Sequence, residues 1–443
     1  MRRVAFHTLG CKTNQYDTEA MAEEFRRAGY RVVSFSERAE VYVINTCTVT
    51  GRGAGKSRQL ARQVRRQRPG ALLALTGCYP QVAPEEVAAL EEVDVIAGTG
   101  QRGQIVTLVE EALATGQRVC AVGDIMAQRD FEELPIEAFT ERTRATIKVQ
   151  EGCNQFCSYC IIPYARGPAR SRHPQEVLAE VGRLAGAGFK EFVLTGIHLG
   201  VYGLGLPGGR PHLAELLLEL AATYPKVRFR LSSLEPMEVT DQLLQVMADH
   251  TNICHHLHIP LQSGDDQILR AMNRDYTTDD YARRVAQARW FLPDLALTTD
   301  VMVGFPGETD QEFARTQRFV EEMAFSQMHI FPYSRRPGTP AADFPNQVPT
   351  RVKGERAAAL AEQASRLSAR YRRSFLGRVL EVLVEEEAGP AHLGGDGVSL
   401  QGLTGNYLRV AFTGPAELVN QLVPVRLVVE AGDYLWGELA NKD

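Results

Sequence analysis

The sequence predicts an α/β protein with three parts: an N-terminal parallel α/β domain, a central partial TIM-like (βα)6 barrel and a small C-terminal all-β barrel. Three observations lead to this prediction. Short apolar runs alternate with amphipathic helical patterns over most of the chain. A helical stretch rich in Ala and Arg follows at 351–376. Residues 378–440 then change to short alternating runs broken by Gly, Pro and Asn, which is typical of a small β barrel.

The composition, 44% hydrophobic and 23% charged, is that of a globular protein. We expect a cytoplasmic protein with no membrane contact, because no apolar run reaches about 18 residues and the first residues turn polar too early for a signal peptide. The net charge of −5 does not favour nucleic acid. Two basic runs are candidate phosphate contacts or solvated helix faces. They contain Arg52, Lys56, Arg58, Arg62, Arg65, Arg66 and Arg68, and then Arg366, Arg370, Arg372, Arg373 and Arg378.

The N-terminal elements place three cysteines at strand ends. Strands are predicted in RRVAFHTLG, RVVSF, VYVINTC and ALLALTGCYPQ, and helices in DTEAMAEEFRRAGY and GRGAGKSRQLARQVRRQRPG. Cys11, Cys47 and Cys78 each follow a predicted strand. Because ligands bind at the carboxyl ends of strands in open parallel sheets, we expect the three thiols to converge on one site.

The central part begins after residues 125–140, which have no clear period and are predicted to be a linker. The segment RATIKVQEGCNQFCSYC is a strand that leads into three further cysteines. Five more strands are predicted in EFVLTGIHLG, KVRFRLSSLEP, HHLHIPLQSG, LALTTDVMVGFPGE and SQMHIFPYS, with helices between them. In such barrels the chemistry lies at the C-terminal ends of the strands.

Cys153, Cys157 and Cys160 follow the pattern CxxxCxxC. Clustered thiols in a cytosolic chain indicate metal binding or redox chemistry, whereas a structural zinc site, the alternative, prefers four ligands. Three thiolates on a four-iron cluster leave one iron open to a small molecule. The arrangement resembles the radical S-adenosylmethionine superfamily. This resemblance implies that the cluster passes one electron to the sulfonium and releases a 5′-deoxyadenosyl radical.

The same resemblance assigns roles to residues at other strand ends. It implies that Tyr159 contacts the adenine, although a packing role is equally compatible, and that Thr195 and Gly196 receive the methionine amino group. Ribose and methionine contacts are expected from Ser233, Glu235, Gln262 and Gly304. His258 could line the site or pack as a strand histidine. Cys120 and Cys254 have no such partners and are interpreted as buried or incidental thiols.

The residues that flank Cys11, Cys47 and Cys78 form distinctive motifs. They read Gly10-Cys11-Lys12-Thr13-Asn14-Gln15-Tyr16-Asp17, Asn45-Thr46-Cys47-Thr48-Val49-Thr50 and Gly77-Cys78-Tyr79-Pro80-Gln81. Together with EGCNQFCSYCIIPYARGPARSR, they resemble the methylthiotransferase family throughout the chain. The resemblance implies a methylthiotransferase domain at 1–124, a radical core at 139–370 and a TRAM domain at 371–441. It also implies two 4Fe-4S clusters, two S-adenosylmethionine molecules per turnover, a sulfur donor and an electron donor.

Members of this family act on threonylcarbamoyladenosine in tRNA, on isopentenyladenosine in tRNA, or on an aspartate of a ribosomal protein. The Lys-Thr-Asn-Gln-Tyr run after Cys11 is most similar to the threonylcarbamoyl branch, which modifies position 37 beside the anticodon. Arg166, Arg170 and Arg172 are predicted to hold the anticodon-loop backbone or the threonylcarbamoyl carboxylate. The rival hypothesis is a non-catalytic iron–sulfur protein that binds RNA.

Overall fold

The computed structural model describes residues 1–49, 51–134, 136, 143–206, 212–387 and 397–440. Part of the predicted linker (residues 135 and 137–140), the proposed domain limits 139 and 441, and the side chain of Arg52 lie outside the described residues. Short 3-10 turns connect several elements. They are Arg102–Gln104, Ile125–Ala127, Leu199–Val201, Pro236–Glu238, Pro340–Asp343 and Ala416–Leu418.

The N-terminal part is a six-stranded parallel sheet with the order β2-β1-β3-β4-β5-β6. Its strands are β1 (Arg3–Thr8), β2 (Arg31–Val33), β3 (Val41–Thr46), β4 (Leu72–Gly77), β5 (Val95–Ala97) and β6 (Val119–Ala121). Its helices are α1 (Lys12–Arg27), α2 (Gly51–Gln67), α3 (Cys78–Val82), α4 (Pro84–Ala88) and α5 (Ile105–Thr115). Separate apolar cores cover the two faces, so the central strands β3 and β4 are buried along their whole length.

Helix α1 begins earlier than its apolar period predicts, directly after Cys11. The polar side chains of its first turn are buried and make hydrogen bonds to neighbouring loops. Asn14 Nδ2 donates to the carbonyl oxygens of Leu9 at 2.7 Å and Thr46 at 3.0 Å. These bonds tie the first turn of α1 to the ends of β1 and β3, where two of the cysteines lie.

The central part contains six parallel strands, as predicted. They form two three-stranded sheets, β11-β10-β7 and β12-β13-β14, which meet through the bridges Phe229–Ile253 and Ser233–His258. The strands are β7 (Arg144–Lys148), β10 (Glu191–Thr195), β11 (Arg228–Leu231), β12 (His256–His258), β13 (Ala296–Val303) and β14 (Gln327–Pro332), with a small antiparallel pair β8 (Gln150–Glu151) and β9 (Arg170–Ser171). The helices are α6 (Ile162–Arg166), α7 (Pro174–Gly186), α8 (Leu213–Thr223), α9 (Asp241–Asp249), α10 (Asp266–Ala271), α11 (Thr278–Phe291), α12 (Asp310–Met323) and α13 (Thr350–Arg373).

The C-terminal part is a closed five-stranded barrel with the order β15-β16-β17-β19-β18, which confirms the predicted small β barrel. Its strands are β15 (Val379–Glu387), β16 (Val398–Thr404), β17 (Arg409–Gly414), β18 (Leu422–Ala431) and β19 (Tyr434–Leu439). It packs beside the starts of the central strands, where the His256 ring stacks on Tyr407 with 4.2 Å between centroids. Among the described helices, none has the length and apolar character that crossing a membrane requires.

Candidate active site

Cys11, Cys47 and Cys78 all lie at the carboxyl edge of the N-terminal sheet. Cys11 is the N-cap of α1, Cys47 directly follows β3, and Cys78 is the first residue of α3 after β4. The loops that carry them pack closely: a Cβ atom on Gly10, whose φ is +108°, would lie 2.9 Å from Cys47 Cβ. The fold thus brings the three strand ends together, because parallel strands end at the same edge of the sheet.

Two of these thiols are buried, and burial disfavours their thiolate forms. Burial raises the pKa of Cys78 to about 11 and also raises the pKa of Cys47, and neighbouring Cys11 adds to both shifts. A thiolate binds metal, so iron would have to supply the stabilisation that the surroundings withhold. The donor set, three soft sulfurs with Cys11 exposed at the surface, fits an iron–sulfur cluster that keeps one iron accessible.

Cys153, Cys157 and Cys160 occupy the loop between β8 and α6. The backbone before the first cysteine is constrained, because a Cβ on Gly152 would lie 2.0 Å from the Pro168 carbonyl oxygen. Burial raises the pKa of Cys157 and raises that of Cys160 to about 12. This second set of desolvated thiols likewise fits a cluster with one open iron.

Two cations contact the sulfurs of this loop. Arg274 Nη1 donates to Cys157 Sγ at 3.3 Å, and His198 Nδ1 lies 3.6 Å from Cys153 Sγ. Burial opposes the charge on His198, but hydrogen bonds to Cys153 and Glu238 raise its pKa to about 10. Neither cation was predicted from the sequence, although His198 lies in the segment GIHLG that ends the second barrel strand.

No group of three His, Cys, Asp or Glu side chains in the described ranges is arranged to hold a single metal ion. This finding gives no support to the zinc alternative, which needs its ligands gathered around one ion. A four-iron cluster binds its three thiolates on three separate irons, so its ligands need not gather around one ion.

Four residues with predicted roles in S-adenosylmethionine binding lie at the ends of barrel strands. Thr195 is the buried last residue of β10, and Gly196 approaches Gln150 so closely that a Cβ would lie 2.9 Å from Gln150 Cβ. Gly304 follows β13 with a φ of +70°. Gln262, with a φ of +60°, buries its Oε1 atom without a hydrogen-bond partner among the described residues. That orphaned acceptor fits a donor from a bound molecule, since buried polar atoms are rarely left unpaired.

The other three residues with predicted roles in S-adenosylmethionine binding already contact neighbouring parts of the protein. Tyr159 packs edge-on against Phe305 in a small apolar cluster. Ser233 is exposed and pairs through its backbone with His258 of β12. Glu235 forms an ion pair with Arg274, the residue that contacts Cys157.

The predicted role of Arg166, Arg170 and Arg172 in holding RNA requires a correction. Their exposed fractions are 1%, 2% and 1%, so their guanidinium groups cannot meet a phosphate backbone. Arg172 is paired with Glu180 and with Glu133, and Arg170 donates to two carbonyl oxygens of its own loop. The sequence shows a basic loop beside the cluster, but the buried acceptors that neutralise it are distant in the chain.

Arg166 belongs to a buried charge cluster between the N-terminal sheet and the barrel. We define this interdomain charge cluster as Asp17, Arg102, Lys148, Glu151 and Arg166. Asp17 accepts from all three cations at 2.6–2.7 Å, and Glu151 accepts from the same three at 3.0–3.1 Å. Although burial opposes ionisation, these cations lower the pKa of Asp17 to about 2.

Lys12 projects from the first residue of α1, next to Cys11. Its side chain is exposed, yet burial lowers its pKa to about 8, and Arg144 and Arg230 of the barrel add to that shift. Water therefore reaches this side chain although many protein atoms surround it. Its ammonium has no ion-pair or hydrogen-bond partner in the described part of the chain.

The two basic runs are partly neutralised within the fold. Arg65 pairs with Asp94 at 2.6 Å, and Arg372 and Arg373 both pair with Glu430. Lys56 and Arg66 on α2 remain exposed. The free positive surface beside the N-terminal cysteines is therefore smaller than the sequence run indicates.

The fold and the two cysteine sites define the class of protein. The Radical SAM superfamily matches residues 147–320, and the uncharacterized protein family UPF0004 matches residues 3–98. A solved structure of the radical S-adenosylmethionine methyltransferase TsrM from Kitasatospora setae aligns with a TM-score of 0.58 and 15% identity, over 77% of this chain and 75% of that one. The chain is a radical S-adenosylmethionine enzyme.

Curated relatives narrow this class. The threonylcarbamoyladenosine tRNA methylthiotransferase MtaB of Bacillus subtilis is 43% identical over 100% of this chain and 97% of its own length, and that of Aquifex aeolicus is 40% identical over 87% and 93%. The tRNA-2-methylthio-N(6)-dimethylallyladenosine synthase of Geobacillus kaustophilus is 35% identical over 100% and 83%. The chain belongs to the radical S-adenosylmethionine methylthiotransferase family, in its threonylcarbamoyladenosine tRNA branch.

Proposed function

We propose that this enzyme converts N6-threonylcarbamoyladenosine at tRNA position 37, beside the anticodon, into its 2-methylthio derivative in the cytoplasm. The observation that carries the proposal is the meeting of two cysteine triads at one interface. Arg166, six residues after Cys160, reaches across the interface to Cys78. Radical generation and sulfur delivery can then act on one base. The substrate in this proposal is inferred from the names of the curated relatives of Bacillus subtilis and Aquifex aeolicus, which are threonylcarbamoyladenosine tRNA methylthiotransferases.

Each triad fits one 4Fe-4S cluster. We propose that Cys153, Cys157 and Cys160 hold the cluster that binds S-adenosylmethionine, and that Cys11, Cys47 and Cys78 hold the second. When bound, the first cluster and its S-adenosylmethionine supply a 5′-deoxyadenosyl radical, and the second supplies a site for sulfur. Two S-adenosylmethionine molecules are used in each turnover. An external electron donor supplies the electron that splits the first S-adenosylmethionine into methionine and the 5′-deoxyadenosyl radical, and the hydrogen of adenine C2 leaves in 5′-deoxyadenosine. Sulfur from a donor then bonds to C2, and the second cluster would accept the electron released in that step. The second S-adenosylmethionine gives its methyl group to the sulfur and leaves as S-adenosylhomocysteine.

The residues at the barrel strand ends would position the first S-adenosylmethionine. The unpaired Oε1 of Gln262 offers an acceptor for a ribose hydroxyl or the methionine ammonium. Thr195, Gly196 and Gly304 are proposed contacts at the same strand ends. Gly196 and Gly304 pack against Gln150 and Lys353, and Gly304 has a positive φ, so both turns are held in a fixed conformation. Ser233, Glu235 and Tyr159 complete the proposed set, with Glu235 held by Arg274.

Lys12 supports a substrate that carries an anionic group. The threonylcarbamoyl group has a carboxylate, whereas a dimethylallyl group is apolar. The Lys12 ammonium, next to Cys11, has no ion-pair partner in the described residues. A carboxylate would supply one, whereas an apolar group would only remove water from the ammonium. The anticodon loop can present its base to such a cavity, because single-stranded bases are splayed out at low cost.

The test is nucleoside analysis of tRNA from cells in which the gene for this chain is deleted and the native chain or a variant is expressed in its place. The native chain should restore 2-methylthio-N6-threonylcarbamoyladenosine. Cys157→Ala should abolish formation of both 5′-deoxyadenosine and the product by purified protein. Cys47→Ala should retain cleavage of S-adenosylmethionine and lose the product. Cys120→Ala, which alters an exposed thiol outside both triads, is the matched control and should behave like the native chain.

Three results would contradict the proposal. Equal loss of cleavage in Cys47→Ala and Cys157→Ala would end the division of labour between the triads. A mass shift on dimethylallyladenosine or on a ribosomal protein, with threonylcarbamoyladenosine unchanged, would assign the alternative substrates. Absence of any cleavage by the reduced, iron-loaded native protein would favour a non-catalytic iron–sulfur protein.

A further inference from the structure

We propose that Arg166 is a positioning residue that holds Cys78 from the opposite domain and sets the reduction potential of the iron–sulfur cluster on the N-terminal triad. The inference rests on the proposed function, because it requires a second cluster. Arg166 Nε donates to Cys78 Sγ at 3.3 Å. Hydrogen bonds to sulfur are one of the means by which a protein tunes such a potential.

The rest of the guanidinium group is held by acceptors from both domains. Nη1 donates to Asp17 of the N-terminal domain at 2.7 Å and to Glu151 of the barrel at 3.1 Å, and Nη2 donates to Asn14. Every nitrogen is therefore engaged, so the group cannot rotate away from the sulfur without breaking buried ion pairs.

The position of Arg166 in the chain links the two triads. It is the last residue of α6, which begins two residues after Cys160. Cys78 begins α3, and these two short helices are in contact. A displacement at one triad is thus passed to the other through one helical turn and one guanidinium group. Arg274 makes the equivalent contact to Cys157 from within the barrel, so each triad has one guanidinium on a buried sulfur.

The experiment isolates the N-terminal triad in a full-length chain with Cys153, Cys157 and Cys160 replaced by Ala. In that background Arg166→Lys keeps the positive charge but loses the planar guanidinium group that donates to Cys78, Asp17, Glu151 and Asn14 together. We expect a lower midpoint potential, by about tenfold in the ratio of oxidised to reduced cluster or about 59 mV for one electron, and about 10- to 100-fold weaker retention of iron against a chelator. Arg172→Lys is the matched control, because Arg172 is equally buried and ion-paired, with Glu133 and Glu180, and contacts neither Arg166 nor a triad sulfur in the described residues.

A second variant gives the opposite sign. Glu151→Gln removes a negative charge beside Arg166 and should raise the midpoint potential, whereas structural damage would not move the two variants in opposite directions. If Arg166→Lys does not fold, the shift in Glu151→Gln still decides. Unchanged potentials in both variants would overturn the role of Arg166. A triple-alanine background that binds no cluster would overturn the second cluster itself, and with it this inference.

Discussion

At the scale of single residues, the sulfur contacts of Arg274 and His198 determine how the barrel triad is presented. Arg274 is held by Glu235 and donates to Cys157, so a carboxylate, a guanidinium and a thiol form one chain of contacts. A hydrogen bond to a ligand sulfur orients the ligand and lowers the cost of its negative charge. Loss of the Arg274 guanidinium should therefore reduce radical generation more than it reduces any other step.

We expect Arg274→Lys to reduce reductive cleavage of S-adenosylmethionine by about 10- to 100-fold, since a lysine cannot contact Glu235 and Cys157 in the same geometry. The measurement is 5′-deoxyadenosine formed by reduced protein without tRNA. Arg270→Lys is the matched control, because Arg270 is exposed on the same segment of chain. Native cleavage rates in Arg274→Lys would show that the contact is incidental.

The sequence was a good guide to the cysteines and a poor guide to their partners. The spacing CxxxCxxC and the placement of Cys11, Cys47 and Cys78 after apolar runs are local patterns, so they could be predicted. Arg274 lies 117 residues from Cys157, and no local pattern links them. The position of Arg166 just past the cysteine loop predicts a contact with the RNA backbone or the threonylcarbamoyl carboxylate, whereas Asp17, 149 residues away, neutralises it in the interior.

At the scale of elements, the turn from β4 into α3 accommodates only glycine at position 77. Gly77 has a φ of +94°, and a Cβ there would lie 2.4 Å from Asn45 Oδ1 and 2.7 Å from the Thr46 carbonyl oxygen. The turn delivers Cys78 directly from a buried strand to the start of a helix. A side chain at Gly77 would push Cys78 away from Cys47 and from Arg166.

We expect Gly77→Ala to lower the free energy of unfolding by about 1–3 kcal/mol, because the left-handed backbone and the close contacts both penalise a Cβ. Iron content should fall from about eight to about four atoms per chain, if two 4Fe-4S clusters are normally held. Gly70→Ala is the control, since nothing lies within 4 Å of its Cβ position. Full iron content and native product formation in Gly77→Ala would show that the loop tolerates the shift.

The period of apolar residues predicts the first four strands and the first two helices of the N-terminal sheet, because one face or both faces of each are buried. Strands β5 and β6 and helices α3, α4 and α5 have no corresponding prediction, and α3 begins inside the segment ALLALTGCYPQ that predicts a strand. The first turn of α1 was missed because Thr13 and Asn14 are buried polar residues that bond to neighbouring loops. Such residues interrupt the apolar period at the functional edge of the sheet.

At the scale of the whole molecule, buried charge joins the three parts. The interdomain charge cluster lies between the N-terminal sheet and the barrel. At the other end of the barrel, Glu191 is fully buried against Arg228 and Arg230, which donate to carbonyl oxygens of Leu403 and Thr404 in the C-terminal barrel. A single carboxylate thus orients both guanidinium groups that hold the C-terminal barrel in place.

This arrangement predicts a defined acid dependence of stability. Burial opposes the charge on Glu191, but Arg230 and Arg228 lower its pKa from 4.5 to about 2. Because the folded pKa is depressed, the contribution is complete above the unfolded pKa and is lost as pH falls from about 4.5 towards 2. The loss is roughly 3 kcal/mol of unfolding free energy over that window.

Glu191→Gln should remove this acid dependence and cost about 3–5 kcal/mol at neutral pH, because it leaves two buried guanidinium groups without their carboxylate. The measurement is urea unfolding of both proteins from pH 7 to pH 2, in which their difference cancels contributions common to the two. Glu417→Gln, at an exposed position of the same C-terminal barrel, should match the native chain throughout. If Glu191→Gln loses stability below pH 4.5 as the native chain does, other buried carboxylates cause the acid dependence. Asp17 is the first candidate, since its pKa is also lowered to about 2.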